Sequence, residues 1–244
     1  MALSSRVSPQ PINPIMDMCG RFKRSVTWAE YFEYLGLNVP MPNAPPRYNV
    51  APTDEVYVVR NGRAANEREL VVVRWGLVPY WSKDRKSAAK NINTRAETVA
   101  EKPSFRDAFA RRRCLVLADG FYEWRQEGKL RQPYLITLKD GGPFVFAGLW
   151  ERWHSANDED SALETCTVVT TEASPVLHDI HSRMPVILQS HDHDMWLDGD
   201  DVPARSSLLR PLPDDLIAIT KVSTRVNKVA NDDAACMEPE LTLF

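Results

Sequence analysis

Cys19 is the residue of this sequence whose chemistry depends most on its position. It follows Met18 directly and precedes Gly20 and Arg21. If translation begins at Met18 and that methionine is removed, Cys19 carries a free α-amine and a thiol on adjacent carbons. The amine, with a pKa of roughly 8, is partly free base at neutral pH and attacks aldehydes. The thiol then closes a five-membered ring, so the pair predicts covalent capture of an aldehyde.

Three other residue types in the chain suit the steps of such a capture. Glu123 and His181 offer a carboxyl and an imidazole. These groups can exchange protons when water leaves the carbinolamine. Asn93 stays neutral throughout and can orient the Cys19 amine or the aldehyde oxygen by hydrogen bonds.

Composition and charge are those of an ordinary globular chain. It has 244 residues, of which 43% are apolar and 26% charged, and its formal net charge is −3. Nucleic-acid binding must therefore come from a local basic patch, because the whole molecule has no basic field. No apolar run approaches the roughly 18 residues of a membrane span, so we expect no membrane partner.

The four cysteines are widely spaced, at positions 19, 114, 166 and 236. No CxxC pair occurs, which argues against a zinc knuckle or a disulfide scaffold and indicates a reducing compartment. We expect a cytoplasmic protein, associated with the nucleoid if it is bacterial. His191 and His193 could ligate a metal, but a solvated helix start explains them better, so we predict neither a metal nor a cofactor.

Short strands interleaved with short helices predict an α+β fold with a mostly antiparallel, barrel-like sheet and short flanking helices. The predicted strands cover 55–60, 69–75, 114–118, 133–138, 144–150, 165–171 and 216–222. The predicted helices are 28–37, capped by Thr27, one capped by Ser104 and ending at Arg111, 174–180, and one capped by Ser190 and ending at Leu197. Hairpin turns are predicted at 61–62 and 140–142. Residues 76–91 form a loop long enough to suggest function.

Residues 1–17 are rich in Ser and Pro and do not fit a secretory signal. We interpret them as disordered, or as a start assigned too far upstream, and predict a single domain over residues 18–244. The chemistry proposed for Cys19 needs everything before it to be absent or removed, because an amide-bonded nitrogen is not a free amine.

Six short motifs follow one another along the chain. They are MCGRF at 18–22, RYNVAP at 47–52, WGLVPYW at 75–81, NTRAE at 93–97, GFYEW at 120–124 and HSRMP at 181–185. In this order they resemble the SOS-response-associated peptidase (SRAP) family. Each motif alone is weak, but six in sequence, from Cys19 to about Asn231, make the resemblance specific. It implies a sensor that shields abasic sites in single-stranded DNA by forming a covalent thiazolidine crosslink.

The resemblance implies a role for each matching residue. The catalytic set is Cys19 as nucleophile with Asn93, Glu123 and His181 in support. The DNA-binding set is Arg21, Arg95 and Arg183 for the backbone, Pro52, Tyr80 and Trp81 near the bases, and Asn49 without an assigned contact. Tyr80 replaces a tryptophan common in the family but keeps a stacking surface. The resemblance also implies a monomer with hydrolase-class peptidase and lyase-like activity, acting as a protease on its own leader.

Two other functions remain open at this point. A thiol peptidase or amidohydrolase would use Cys19 as nucleophile and His181 as base. A non-covalent module would hold single-stranded DNA through basic and aromatic side chains alone. For single residues, the plainer interpretations are a structural thiol at Cys19, a surface carboxylate at Glu123 and a core or capping imidazole at His181.

Overall fold

The computed structural model describes residues 19–62, 64, 67–155 and 158–240, without the side chains of 87 and 158–161. The strands are β1 (Arg21–Arg24), β2 (Arg47–Val50), β3 (Glu55–Asn61), β4 (Arg68–Trp75), β5 (Asn93–Arg95), β6 (Arg113–Ala118), β7 (Gly120–Glu127), β8 (Leu130–Leu138), β9 (Phe144–Ser155), β10 (Asp158–Glu172), β11 (Arg183–Pro185), β12 (Ile187–Leu188) and β13 (Ile217–Lys221). The α-helices are α1 (Trp28–Leu35), α2 (Arg106–Arg111), α3 (His193–Asp198) and α4 (Val202–Ser207). The prediction for residues 1–17 lies outside the described residues.

Five strands close into a barrel. β3 pairs with β4 and β6, β9 pairs with β6 and β10, and β10 returns to pair with β4. The β4–β10 pairing is parallel and the other four are antiparallel. Val58 and Val116, which face each other across β3 and β6, are fully buried, as β-branched residues in a barrel interior should be. The predicted α+β fold with a mostly antiparallel, barrel-like sheet is confirmed.

A second sheet packs on the barrel and carries the strand that follows Cys19. Its order is β13-β8-β7-β1-β2, with antiparallel pairing throughout. The ring of Phe22 in β1 meets Trp75 edge-on at 5.1 Å and Phe146 at 5.6 Å between centroids. Such aromatic pairs add about 0.5–1.5 kcal/mol each to the stabilisation from burial. β1 is therefore fixed by its two neighbours in the sheet and by the barrel beneath it.

The helices pack on a different apolar surface of the barrel. Tyr31 of α1, Phe109 of α2 and Trp196 of α3 are buried in one cluster with Leu115 and Leu117 of β6. This cluster lets β6 bury side chains on both of its faces. No helix in the described part of the chain is long and apolar enough to cross a membrane.

The predicted helix caps are confirmed only for α1. Thr27 caps α1 in a complete capping box. Ser104 and Ser190 are not caps, because α2 begins after Phe105 and α3 after Asp192, in both cases without a capping side-chain hydrogen bond. Phe105, the residue before α2, is buried in the same cluster as Phe109.

Two other predicted elements are wrong. The hairpin across 140–142 does not form, because β8 pairs with β7 and β13 whereas β9 pairs with β6, β10 and β12. The sequence at 140–142 predicts a turn, but a turn does not determine which strand β8 pairs with. β8 instead reverses from β7 near Gly128, which has a φ of 62°. The helix predicted over 174–180 is reduced to a 3₁₀ turn at Pro175–Leu177, because the chain turns back there to pair β11 with β10.

The long loop predicted over residues 76–91 is closed at its base. The Leu77 amide donates to the Asn91 carbonyl (3.1 Å), and the Asn91 side chain donates back to the Leu77 carbonyl (3.0 Å). Gly76 has a φ of 122°, and a Cβ there would lie 2.7 Å from the carbonyl oxygen of Ala88. Only glycine fits where the two ends of the loop meet.

Replacing Gly76 with alanine is expected to lower the free energy of unfolding by more than about 2 kcal/mol, from backbone strain plus the contact with Ala88. Urea unfolding measures this loss. Gly141→Ala is the matched control, because Gly141 also has a positive φ (73°) but a Cβ added to it would have nothing within 4 Å. Equal losses in the two variants would contradict the close approach of Ala88.

Candidate active site at Cys19

The four predicted catalytic residues come from four different segments. Cys19 lies just before β1, Asn93 begins β5, Glu123 lies in β7 and His181 lies just before β11. The side chains of the first three are buried, and His181 is half-buried. Contacts among them show that the fold brings all four to one place.

Asn93 holds the backbone at Cys19. Its Nδ2 donates to the Cys19 carbonyl oxygen at 2.9 Å. Its Oδ1 is buried and accepts no hydrogen bond from the residues that the structure describes. Leaving a buried acceptor without a hydrogen-bond partner costs about 1–3 kcal/mol, and such groups in folded proteins often have a functional role. Asn93 therefore presents an acceptor beside the start of β1.

The thiol of Cys19 is kept in its neutral form. Burial raises the pKa of Cys19 well above its usual range, and the negative charge of Glu123 and a hydrogen bond to it raise it further. The positive charge of Arg183 acts in the opposite direction but contributes less. The Cys19 Sγ also lies 3.9 Å from the Arg183 carbonyl oxygen. At neutral pH the site holds a protonated thiol next to a carboxyl group that can take its proton.

His181 also lies close to Glu123. Its Nδ1 is 4.0 Å from Glu123 Oε1. The same nitrogen is 2.9 Å from the Arg183 carbonyl oxygen and 3.0 Å from the Arg183 amide nitrogen. It accepts from the amide when unprotonated and donates to the carbonyl when protonated, so both states of the ring find a backbone partner.

Arg183 is held by protein groups. Its guanidinium forms two hydrogen bonds with Glu97, at 2.6 and 3.1 Å, and Nη2 donates to the Thr170 carbonyl at 2.7 Å. A phosphate would have to share or replace Glu97, so the DNA contact of Arg183 stays a prediction. Arg95, on β5, is exposed. The role of Glu97 was missed, although it ends the NTRAE motif.

Arg21 and Asn49 are tied to a late segment of the chain. Arg21 Nη1 donates to Asn49 Oδ1 at 2.8 Å and to the Val226 carbonyl at 3.0 Å. Asn49 is fully buried, and its Nδ2 lies 2.7–3.2 Å from the carbonyl oxygens of Val226, Lys228 and Asn231. The observed contacts give Asn49 a positioning role inside the protein, and its contact with DNA stays a prediction.

The predicted base-contacting residues lie on two connected loops. Tyr80 and Trp81 have exposed fractions of 54% and 53%. Pro52 is half-buried and precedes Thr53, a non-glycine residue at a φ of 77°. Such a backbone costs about 1–3 kcal/mol and is kept where neighbouring contacts enforce it. Here the Thr53 amide donates to the Trp75 carbonyl at 2.9 Å, which ties the Pro52 loop to the strand leading to Tyr80.

The site thus combines a thiol, a carboxyl, an imidazole and an amide in a small, mostly buried volume. Among the described residues no group of three or more His, Cys, Asp or Glu side chains is placed to hold a metal ion.

Residues 18–229 match the family described as SOS response associated peptidase (SRAP). The chain belongs to this family. A relative named abasic site processing protein YoqW, from Bacillus subtilis (strain 168), is 39% identical to this SRAP chain over 226 residues, 91% of this chain and 99% of the relative. Abasic site processing protein HMCES from Gallus gallus is 34% identical over 223 residues, 80% of this chain and 66% of that protein.

Solved structures share the SRAP fold described above. A protein from Bacteroides thetaiotaomicron superposes with a TM-score of 0.81 at 26% identity, covering 91% of this chain and all of that one. A protein from Bordetella bronchiseptica superposes with a TM-score of 0.71 at 27% identity, covering 84% of this chain and all of that one. The agreement extends over nearly the whole SRAP domain.

Replacing Glu123 with glutamine is expected to lower the pKa of the Cys19 thiol, because the variant removes a negative charge that disfavours the thiolate. The measurement is the rate of iodoacetamide alkylation of Cys19 against pH, read by mass spectrometry of the Cys19 peptide. The midpoint should move to lower pH.

Glu151→Gln serves as the control for this measurement, since Glu151 is a buried carboxyl whose ion-pair partner is Arg112 and not a group at the site. The control should leave the midpoint where it is in the wild type. A midpoint that stays or rises in Glu123→Gln would show that Glu123 does not act on the thiol.

Proposed function

We propose that this SRAP protein captures abasic sites in single-stranded DNA by a covalent bond through Cys19. The observation that carries the proposal is that Cys19 contacts both Asn93, whose Nδ2 donates to the Cys19 carbonyl, and Glu123, whose carboxyl group forms a hydrogen bond with the thiol. An abasic site presents an aldehyde when its sugar ring opens, and that is the group an N-terminal cysteine captures. The names of the relatives, which describe abasic site processing, support the same substrate.

The reaction joins one aldehyde and one N-terminal cysteine with loss of one water. The Cys19 nitrogen attacks the aldehyde carbon, and the resulting carbinolamine loses water to give an imine. The sulfur then adds to the imine carbon, a proton moves from sulfur to nitrogen, and a thiazolidine ring results. The steps are polar additions and one elimination, so they balance without an oxidant or a reductant.

Glu123 moves protons at two points in this sequence. As a carboxylic acid it protonates the hydroxyl that leaves the carbinolamine, and as a carboxylate it accepts the proton of the thiol. His181, 4.0 Å from Glu123, exchanges that proton with solvent or with the ring-opening sugar. Asn93 Oδ1 accepts from the Cys19 amine and turns the nitrogen lone pair toward the aldehyde.

Exposed groups around the site hold the strand. Tyr80 and Trp81 stack on neighbouring bases, each stack contributing about 1–3 kcal/mol, and Arg95 faces a phosphate. A single strand suits this site, because an abasic sugar between unstacked bases is reached without opening a duplex.

The chemistry requires a free amine at Cys19. Cleavage of the Met18–Cys19 bond, by removal of an initiator methionine or by peptidase action of the protein on its own leader, exposes it. The hydrolase and lyase-like character of the protein is part of this proposal and concerns bonds at Cys19 itself.

A single-stranded oligonucleotide with one abasic site tests the proposal, using protein whose N-terminal Cys19 has been verified by mass spectrometry. An SDS-resistant complex should form, and Cys19→Ser should form one only when borohydride is added, because serine keeps the amine but lacks the thiol. Cys236→Ala is the matched control, since it removes a buried thiol elsewhere and should crosslink like the wild type.

Three results would argue against the proposal. A verified N-terminal Cys19 that gives no complex would exclude covalent capture. Peptide cleavage in trans without any crosslink would favour a thiol peptidase. Retention of the strand at wild-type affinity by Cys19→Ser, with no covalent product from either protein, would favour a non-covalent binding module.

A further inference from the structure

The loop over residues 76–91 carries a concentration of unpaired positive charge. Lys83, Arg85, Lys86 and Lys90, here called the basic segment, are all exposed. In the part of the chain that the structure describes, none of the four lies within ion-pair distance of an Asp or Glu side chain. Asp84, the acid among them, uses Oδ1 to accept from the Lys86 amide at 2.8 Å.

Several other exposed or half-buried arginines of this protein behave differently. Arg47, Arg68, Arg125 and Arg225 each form an ion pair with a nearby acid. The chain has 33 acidic and 30 basic residues, so a shortage of acidic residues does not explain why the basic segment lacks ion pairs. Residues 83–90 carry four cations and one acid, Asp84, so they create a local positive potential on a molecule whose overall charge is negative.

The loop that carries the basic segment is anchored by contacts with buried residues. Trp153 is buried, and its Nε1 donates to the Ser82 carbonyl at 2.7 Å. The guanidinium of Arg85 lies 5.3 Å from the centre of the Trp153 ring. Val78 and Ala88 are buried with Trp153 in one cluster. Since the base of the loop is also closed by hydrogen bonds between its two ends, the cations are presented to solvent from a rigid platform.

The basic segment continues the surface proposed for base stacking. Trp81 is two residues before Lys83, and Tyr80 and Trp81 are both more than half exposed. We propose that the basic segment binds phosphates of the single strand where it leaves the site past Tyr80 and Trp81. This rests on the proposed function, to which it adds a second, purely electrostatic contact on one side of the abasic site.

The dimensions fit a short stretch of strand. The 3₁₀ helix Arg85–Lys90 has six residues, so at about 2.0 Å per residue it spans roughly 10–12 Å. Along the axis of a helically stacked strand each phosphate advances about 3.4 Å, so about three of them lie along this length. Lys side chains, as flexible point charges, suit contact with a backbone whose sequence varies.

The salt dependence of binding tests the proposal. The variant is Lys83→Gln, Lys86→Gln and Lys90→Gln together, and the ligand is an undamaged single-stranded oligonucleotide. Each phosphate contact contributes about 0.7 to the slope of log affinity against log salt, so the slope should fall by about 2. Between about 50 and 200 mM salt the wild type should then lose roughly 20-fold more affinity than the variant.

The matched control removes the same charge elsewhere, by Lys102→Gln, Lys129→Gln and Lys139→Gln, at three lysines outside the loop that form no ion pair among the described residues. Its slope should equal that of the wild type. A strand with an abasic site fixes the position of the strand on the protein. Shortening this strand on one side of the lesion should reduce the difference in salt-dependence slope between the wild type and the basic-segment variant. Shortening on the other side should not.

An unchanged slope in the basic-segment variant, or an equal fall in the control, would overturn the proposal. An equal reduction of the slope difference on shortening either side would also overturn it, because the basic segment would then not bind the strand on one particular side of the lesion. The undamaged strand gives its result whether or not Cys19 forms a crosslink, so failure of the covalent reaction and failure of the basic segment are separate results.

Discussion

The site depends on one packing interaction, the insertion of Phe22 between Trp75 and Phe146. Side chains alternate between the two faces of a strand, so a shift of β1 by one residue would turn Phe22 away from the barrel. The aromatic contact therefore fixes the register of β1 and, three residues earlier, the place of Cys19. Glu123 is carried by β7, which pairs directly with β1. The distance between thiol and carboxyl is thus set by the hydrophobic core.

Electrostatics at the site assign an order to the two reactive groups of an N-terminal cysteine. Reactive thiols usually sit beside positive charge, which lowers their pKa. At Cys19 burial and Glu123 do the opposite. In the proposed reaction the amine therefore reacts first, and the thiol adds to the imine only when Glu123 accepts its proton. The neutral form also resists oxidation, which begins from the thiolate.

Much of the fold and of the candidate site was predictable from residue types and short sequence patterns. The barrel-like α+β fold, the cap at Thr27 and the convergence of Cys19, Asn93 and Glu123 were read from the sequence, the convergence through the resemblance of motifs. The partner of β8 was not, because a turn at 140–142 reports a reversal and strand pairing is decided by contacts distant in sequence. The contact of Arg183 with Glu97 was missed for a similar reason, since a pattern shows that a cation is present but not which acid it meets.

Arg21 and the carbonyl of Val226 that it contacts are 205 residues apart in the chain. A ribosome adding about 5–20 residues per second needs roughly 10–40 s to make the intervening stretch. During this interval Cys19 has already left the ribosome, whereas the segment that holds Arg21 and Asn49 does not yet exist. Each newly made molecule therefore passes through a period in which Cys19 has been made but the segment that contacts Arg21 and Asn49 has not.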